Sequence, residues 1–494
     1  MPINEIRKIR INKLNILKKN NIDPYPIKSE KDHILDQVIQ KSEIFLKSKE
    51  SVVVAGRIMS IRGHGGSSFL NIEDESNKLQ LFFRKDILGE KEFDLFQETL
   101  DIGDFIEIEG CLFLTKTGEI TLEAKKWRIL SKSIRPLPDK WHGLKNEELK
   151  LRKRYLELIE NKEFKKRIEF RSKLIGLLRD FMRSEGFMEV ETPILQNQAG
   201  GALAKPFETK LNALNIGLYL RIAPELYLKR LIIGGFEKIF ELGKSFRNEG
   251  MDHSHNPEFT SMEFYWAYRD HEQIMEFTEK MFRKIINDLP GCNELNFSHY
   301  FEKSLPRLEY KKIIKDFTGI DSDLVTKTET ENYLRDNGVK DIKEGDKWTT
   351  IDEVYKKMCL PQIDYPFFLV NHPLNLSPLA KENSKDKAGN TAARFQLIIN
   401  KMEIVNAYAE LNDPLDQKNR FTVQQERIKE GEHEAHSCDN DFVEALEYGM
   451  PPTAGWGMGV DRLMMLLTNV DSIKEVITFP LIRPKAIKKN QKHA

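Results

Sequence analysis

The hydrophobic rhythm of the chain changes three times, and each change predicts a different architecture. Up to about Glu50, apolar residues recur at helical spacing, beginning with Ile6, Ile9, Leu14, Ile16 and Leu17. They predict an N-terminal helical extension over 1–50, interrupted at "NNIDPYPI". From Ser51 the pattern alternates, in "SVVVAGRIMSIR", "SSFLNIEDES", "KLQLFFRK" and "DFIEIEGCLFLTKTGEITLEAKKWRIL", with "KTGE" as a hairpin turn. About five short strands over 51–134 predict a small barrel: an OB-fold is the natural candidate, another small barrel or sandwich the alternative. "IRPLPDKWHGL" (Ile134–Leu144) is a proline-containing connector, so 135–165 reads as linker and helix. A longer mixed domain follows over 166–494, with a polar, helical insertion at about 284–360. The basic tail "RPKAIKKNQKHA" is expected to be frayed and solvated. The fold class is therefore α+β and multidomain.

Composition narrows this picture only a little. The 494 residues are 40% hydrophobic and 31% charged, ordinary for a globular protein. Lys+Arg and Asp+Glu both total 77, so any nucleic-acid contact must come from a local face and not from bulk charge. Four scattered cysteines without a CxxC pair argue against a zinc site or disulfide framework and suit a reducing cytoplasm. No apolar run approaches the roughly 20 residues that cross a bilayer, so no membrane partner is expected.

Three segments carry the candidate chemistry. If "KSFRNEG" and "SMEFYWAY" are antiparallel strands, alternation puts Arg247 with Glu249 and Glu263 with Tyr265 on one floor. Phe264 and Trp266 then point the other way, into a core. An arginine fork suits phosphate or carboxylate oxygens, and carboxylates suit ammonium groups or metals. The alternative is a cross-strand salt-bridge pair on a solvated sheet. In "PPTAGWGMGVDRLMMLLTN", Gly455, Gly457 and Gly459 share a strand face that a ligand or another backbone can approach closely. Asp461 is placed to cap the following helix, and Arg462 in its first turn could clamp a phosphate. In "INKMEIVNAYAELNDP", Asn406, Tyr408 and Glu410 share one face, which could also be merely solvated. Glu403 has the opposite parity and joins them only if the strand is bulged.

Together these segments resemble a known family. "FMEVETPIL", "FRNEG…HNPEF…MEFYWAY" and "GMGVDRL" resemble the three signature motifs of class II aminoacyl-tRNA synthetases. The preceding barrel is similar to the aspartate, asparagine and lysine subgroup. "YLRIAPELYLKRLIIGGFEKIFELGKSFRNEG", "SPLAK", "NAYAELNDP" and "EALEYGMPPT" are closely similar to the lysyl-tRNA synthetase family. The resemblance covers nearly the whole chain and is weakest before residue 50 and near 284–360. It implies an OB-fold anticodon-binding domain and a catalytic domain built on an antiparallel sheet flanked by helices. It further implies a cytoplasmic, homodimeric ligase using ATP, Mg²⁺, L-lysine and tRNA(Lys). Aspartyl or asparaginyl specificity is disfavoured because "RIAPELYLKR" stands where those enzymes resemble a "QSPQ" pattern.

By this resemblance Arg247 bridges the ATP α-phosphate and the lysine carboxylate, and Arg462 holds the γ-phosphate. Glu249 contacts the adenine end, Phe259 stacks on adenine, and His255 and Asn256 lie near the phosphates. Gly201 and Glu225 receive the lysine α-amino group. Glu263, Tyr265 and Glu410 surround the ε-ammonium, with Asn406 and Tyr408 lining the pocket. In the barrel, Phe69 and Gln80 stack on and hydrogen-bond an anticodon base. Glu403 matches one of two metal-binding glutamates, whereas the other falls on Gln396, whose neutral oxygen is a weaker Mg²⁺ ligand.

Overall fold

The computed structural model describes residues 2–138, 146–202, 204–386, 390–429 and 439–484. The end of the connector at 139–144 and the basic tail beyond Pro484 lie outside these residues. The chain divides into two units, Met1–Lys145 and Asn146–Ala494.

In the first unit the alternating segments close into a barrel. Strands β1 (Ser51–His64), β2 (Ser67–Glu73), β3 (Lys78–Arg84), β4 (Phe105–Leu114) and β5 (Ile120–Ser131) pair in the order β1-β2-β3-β5-β4. β4 returns to β1, so no edge is left exposed, as the OB-fold reading requires. Alternate residues such as Val54, Ile72, Leu81, Ile108 and Leu122 fill the interior. The N-terminal segment forms helices Ile3–Lys19, Leu35–Gln40 and Ser42–Ser48, with the long break falling on "NNIDPYPI". The buried Arg10 fastens the first helix by donating to the carbonyls of Ile102, Ser133 and Arg135.

In the second unit one sheet organises everything that follows. The small strands β7 (Leu195–Gln196), β8 (Glu208–Leu211) and β9 (Ile216–Leu220) form a separate three-stranded sheet. The main sheet contains β6 (Met188–Glu189), β10 (Lys238–Phe246), β11 (Glu258–Ala267), β12 (Arg307–Glu309), β13 (Phe367–Val370), β14 (Arg394–Ile399), β15 (Met402–Ala409) and β16 (Thr453–Gly459). Their order is β12-β13-β14-β15-β16-β11-β10-β6. Pairing is antiparallel through the centre and parallel only at the two ends, β12 with β13 and β10 with β6. The polar segment 284–360 is therefore not helical throughout, because Arg307–Glu309 supplies an edge strand.

One face of this sheet is sealed by helices Lys162–Ser184, His271–Asp288 and Val460–Thr468. Each has an apolar stripe, and the sheet answers with Met262, Phe264, Val405, Ala407, Trp456 and Met458. Trp456 stacks on Phe264 at 4.8 Å between ring centroids, and its indole N–H donates to Thr278 Oγ1 at 3.0 Å. Burying that N–H without an acceptor would be costly, so the tryptophan is fixed in orientation as well as in depth. With this face filled, the polar residues of opposite parity are all left on the other.

Candidate active site

Register places the residues of the open face in rows across five strands. Along one row Ile239, Tyr265, Gly455, Tyr408 and Arg394 lie side by side. Along the next lie Glu241, Glu263, Gly457, Asn406 and Gln396. The glycines of β16 thus form a side-chain-free lane between the two polar banks of β11 and β15. The lane is needed most at Gly455: a Cβ there would lie 1.9 Å from Glu410 Oε1 and 2.7 Å from Tyr265 Cε1. Gly455→Ala is therefore expected to raise the KM of a ligand bound beside Glu410 and Tyr265 by about tenfold or more through overpacking. Initial-rate kinetics should show the KM of a ligand bound away from them unmoved.

Glu403 reaches this face through the irregularity that its parity demands. Leu397 pairs with Val405 but Ile398 pairs with Glu403, so Ile404 is an extra residue on β15. Ile404 and Val405 both turn into the core, and Glu403 comes round to the side of Asn406.

Two expectations fail in detail. β10 ends at Phe246, so Glu249 is not on a strand and alternation is not what places it. Arg247 keeps one ladder bond, from its N–H to Pro257 O at 2.8 Å, after which Asn248 donates to Lys205 O. Asp461 does not cap its own helix. It lies inside the first turn, where its carboxylate accepts from Thr260 N at 2.8 Å and pairs with Arg171 at 2.6 Å. Arg462 does occupy that first turn, with Nη2 2.9 Å from His255 Nε2 and Nη1 donating to Glu403 O at 3.3 Å.

A cavity of about 350 Å³ collects these groups. Gly201, Glu225, Arg247, Glu249, His255, Asn256, Phe259, Glu263, Tyr265, Glu403, Asn406, Tyr408, Glu410 and Arg462 all line it. Gln396 does not; it lies one position along the sheet, donating from Nε2 to Glu403 Oε2 at 2.8 Å. At one end, the half-buried Arg247 lies over the Phe259 ring at 5.1 Å, and its Nε has no hydrogen-bond partner among the described residues. Burial draws its pKa down, and Arg462 adds repulsion against the pull of Glu249, Glu263 and Glu403. At the other end sit three carboxylates. Burial first, then the charges of Glu225 and Glu241, push Glu263 up to about 8. Burial likewise drives Glu410 well above the usual carboxylate range. Gly201, at φ +86°, lets its backbone pass close to Glu225, where a Cβ would lie 2.9 Å from Glu225 Cβ.

An arginine pair at one end and carboxylates at the other are complementary to a polyphosphate beside an ammonium compound. Comparison with known proteins identifies the lineage. Residues 146–483 match the model for class II tRNA synthetases (D, K and N), and residues 52–130 match that for the OB-fold nucleic acid binding domain. A lysine–tRNA ligase of Thermosipho melanesiensis is 43% identical, covering 99% of this chain and 98% of its own. Those of Pelotomaculum thermopropionicum and Carboxydothermus hydrogenoformans are each 44% identical, covering 98% of this chain and 96% and 99% of their own. The chain belongs to the class II lysyl-tRNA synthetases.

The use of ATP comes with membership of this synthetase family. A metal ion would meet a limited donor set here. Among the described residues no group of three or more His, Cys, Asp or Glu side chains could hold a metal alone. Glu403 offers a carboxylate, but its neighbour Gln396 turns an N–H towards it, with the Gln396 Oε1 3.1 Å from His372 Nε2. One carboxylate supplemented by substrate phosphates is a sufficient anchor for a Mg²⁺ ion, which characteristically shares its coordination that way.

Sequence reasoning missed two members of this synthetase site. Arg394 donates from Nε to Asn406 Oδ1 at 2.9 Å and from Nη1 to Leu376 O at 2.8 Å, holding the pocket wall. Its signal was the parity it shares with Gln396. Lys229, behind the cavity, contacts both Glu225 and Glu410. Its signal was a Glu-to-Lys spacing of four residues inside the otherwise apolar "ELYLKRLII".

In the barrel unit, Phe69 and Gln80 share one outer patch. Phe69 stacks on Phe82 at 4.4 Å, with Phe113 5.8 Å beyond. Gln80 accepts from Thr121 Oγ1 at 2.8 Å and donates to Glu119 Oε2 at 2.9 Å. Half-exposed aromatic faces beside an amide form a platform for stacking and reading an unpaired base.

Proposed function

We propose that this enzyme activates L-lysine with ATP and transfers it to tRNA(Lys), using the residues of the 350 Å³ cavity for activation and the barrel patch for the anticodon. The observation that carries this reading is the cavity's polarity, with Arg247 and Arg462 at one end and Glu225, Glu263 and Glu410 at the other. Arg247 bridges the lysine carboxylate and the α-phosphate. A lysine carboxylate oxygen attacks the α-phosphorus, the bond to the bridging oxygen breaks, and pyrophosphate leaves with Arg462 at its γ-end. The attacking carboxylate is already ionised, so no general base is required. Alignment and charge neutralisation supply the rate. A terminal ribose hydroxyl of tRNA then attacks the lysyl carbonyl, and AMP leaves with the electron pair.

Phe259 takes the adenine face and Glu249 its edge, while His255 and Asn256 lie beside the phosphates. Glu403 would hold Mg²⁺ together with the phosphates, and the ion would supply neutralisation of phosphate charge. Gly201 and Glu225 take the α-ammonium. Glu263, Tyr265 and Glu410 take the ε-ammonium, with Asn406 and Tyr408 closing the sides. A methionine or leucine would leave buried carboxylates unpaired, at a cost on the order of several kcal/mol. The enzyme acts in the cytoplasm as a homodimer. Among the described residues no helix is long and apolar enough to cross a membrane.

ATP–pyrophosphate exchange with each amino acid in turn tests this reading. Lysine should drive exchange; exchange driven only by aspartate or asparagine, or by none, would sink it. Phe69→Ala should leave exchange intact and raise the KM for tRNA(Lys) about tenfold or more, the loss of one stacked base. An equal loss in both assays would contradict the division of labour.

A further inference from the structure

Behind the carboxylate wall lies an ammonium that no solvent reaches. Lys229, one turn beyond Glu225 on the helix Glu225–Ile233, is 0% exposed and does not line the cavity. Its Nζ is 2.6 Å from Glu225 Oε1 and 2.5 Å from Glu410 Oε2. The rings of Tyr408 and Phe442 flank it at 5.7 and 5.8 Å. Glu225 Oε1 also accepts from the Tyr408 hydroxyl at 2.8 Å. Glu410 Oε1, by contrast, has no hydrogen-bond partner among the described residues and rests over the bare backbone of Gly455. The two carboxylates arrive from different elements, a helix and the end of β15, and Lys229 ties them together.

The charge count gives this tie a purpose. Glu225, Glu263 and Glu410 bring three carboxyl groups to one end of the cavity. Three buried carboxylates with no internal cation could not all stay ionised, and burial already raises Glu263 and Glu410. When a cationic ligand draws all three into the ionised state, Lys229 offsets one charge and two remain for the ligand, with Arg247 at the other end. A free amino acid carrying two ammonium groups and one carboxylate matches this arrangement charge for charge. We propose that Lys229 is a positioning residue that offsets one of the three carboxylates and fixes the cavity-facing oxygens of Glu225 and Glu410, thereby selecting a substrate with two ammonium groups. This rests on reading the cavity as the lysine site.

Glu225 faces Lys229 from its own helix, and Tyr408 and Glu410 face it from β15 and its end. Beyond that pair lie Glu263 and Tyr265 on β11, both raised by the Glu225 charge, with Glu241 acting on Glu263 from β10. β16 brings only Gly455, and the helix Asn440–Glu447 brings the Phe442 ring, its Asp441 and the preceding Asp439 being paired to Arg230. Burial works against the Lys229 ammonium, yet Glu225 and Glu410 more than offset it and hold its pKa above the ordinary value.

The test is Lys229→Met, read by exchange kinetics across pH. The lysine KM should rise about 10²-fold, as one carboxylate takes up a proton that the substrate must displace. The ATP KM should stay within about twofold. The pH at which lysine affinity levels off should move up by about one unit or more. Those two readouts exclude a merely structural role, which would lower Tm and kcat without moving the profile. An unchanged lysine KM, or equal rises for lysine and ATP, overturns the proposal. Should the methionine variant not fold, Lys229→Arg keeps the charge and should hold the lysine KM within about tenfold. A hundredfold rise in that variant at unchanged Tm also overturns it. Failure of the underlying reading is separate, since the unsubstituted chain would then show no lysine-dependent exchange at all.

Discussion

Arg247→Ala should cut lysine-dependent pyrophosphate exchange to about one per cent or less of its rate. The expected loss is about 10²–10³-fold, the usual effect of removing one preorganised donor aimed at developing charge. Arg247 is held by its ladder bond to Pro257 and by the Phe259 ring beneath it. Its position is therefore set before any ligand enters, and no reorganisation is needed at the moment of attack. With Arg462 in the same cavity, two like charges face one space, and a polyanion between them adds to the relief that Glu249, Glu263 and Glu403 give. Arg247→Lys should recover little, because a point charge cannot bridge a carboxylate and a phosphate as a planar fork does. Near-normal exchange in the alanine variant, folded by circular dichroism, would refute the role given to Arg247.

Glu263→Gln carries the second large effect and a distinctive pH signature. In the empty cavity, burial and the carboxylates of Glu225 and Glu241 raise Glu263 to about 8, with Arg247 opposing. Lysine binding at neutral pH must therefore expel a proton, so affinity should improve about tenfold per pH unit below 8 and level off above. The sign for folding is the reverse. A carboxyl raised from 4.5 to about 8 contributes stability below 4.5 that is lost as pH rises through about 8. The empty chain thus weakens over the same interval in which lysine binds better, and thermal shift by lysine should grow from pH 6.5 to 8.5. The glutamine variant should bind lysine about 10²-fold more weakly at pH 8 and lose the slope attributed to Glu263. Calorimetric titration checks both, and an undiminished slope in the variant would assign the proton elsewhere.

Much of this was legible in the sequence because strands obey a period of two. Phe264 and Trp266 pointing one way fixed Glu263 and Tyr265 pointing the other, and the barrel strands declared themselves similarly. What was not legible depended on departures from that period. Glu249 is placed by a turn after β10 has ended, and Glu403 by an extra residue, neither of which alternation encodes. Asp461 looked like a cap because its own helix was the nearest partner, whereas its actual partners, Thr260 and Arg171, are distant in sequence. Lys229 gives no local signal beyond its spacing from Glu225, since a buried cation is intelligible only once Glu410 is brought beside it. Local pattern predicts the element, and tertiary approach decides which charges it may bury.

The surplus residue in β15 makes this stretch sensitive to pairing register more than to composition. Deleting Ile404 would give a cleaner strand, with uninterrupted pleating from Met402 to Ala409 and nothing unpaired against β14. It would leave Glu403 two places from Asn406 and so still on the cavity side. Ironing the bulge out at the present length is what would turn Glu403 to the helix-covered side, without changing a single residue. A one-residue shortening here should be forgiven more readily than a slip of register. Any redesign that rewards ideal strand geometry at constant length would discard the Glu403 carboxylate as its first improvement.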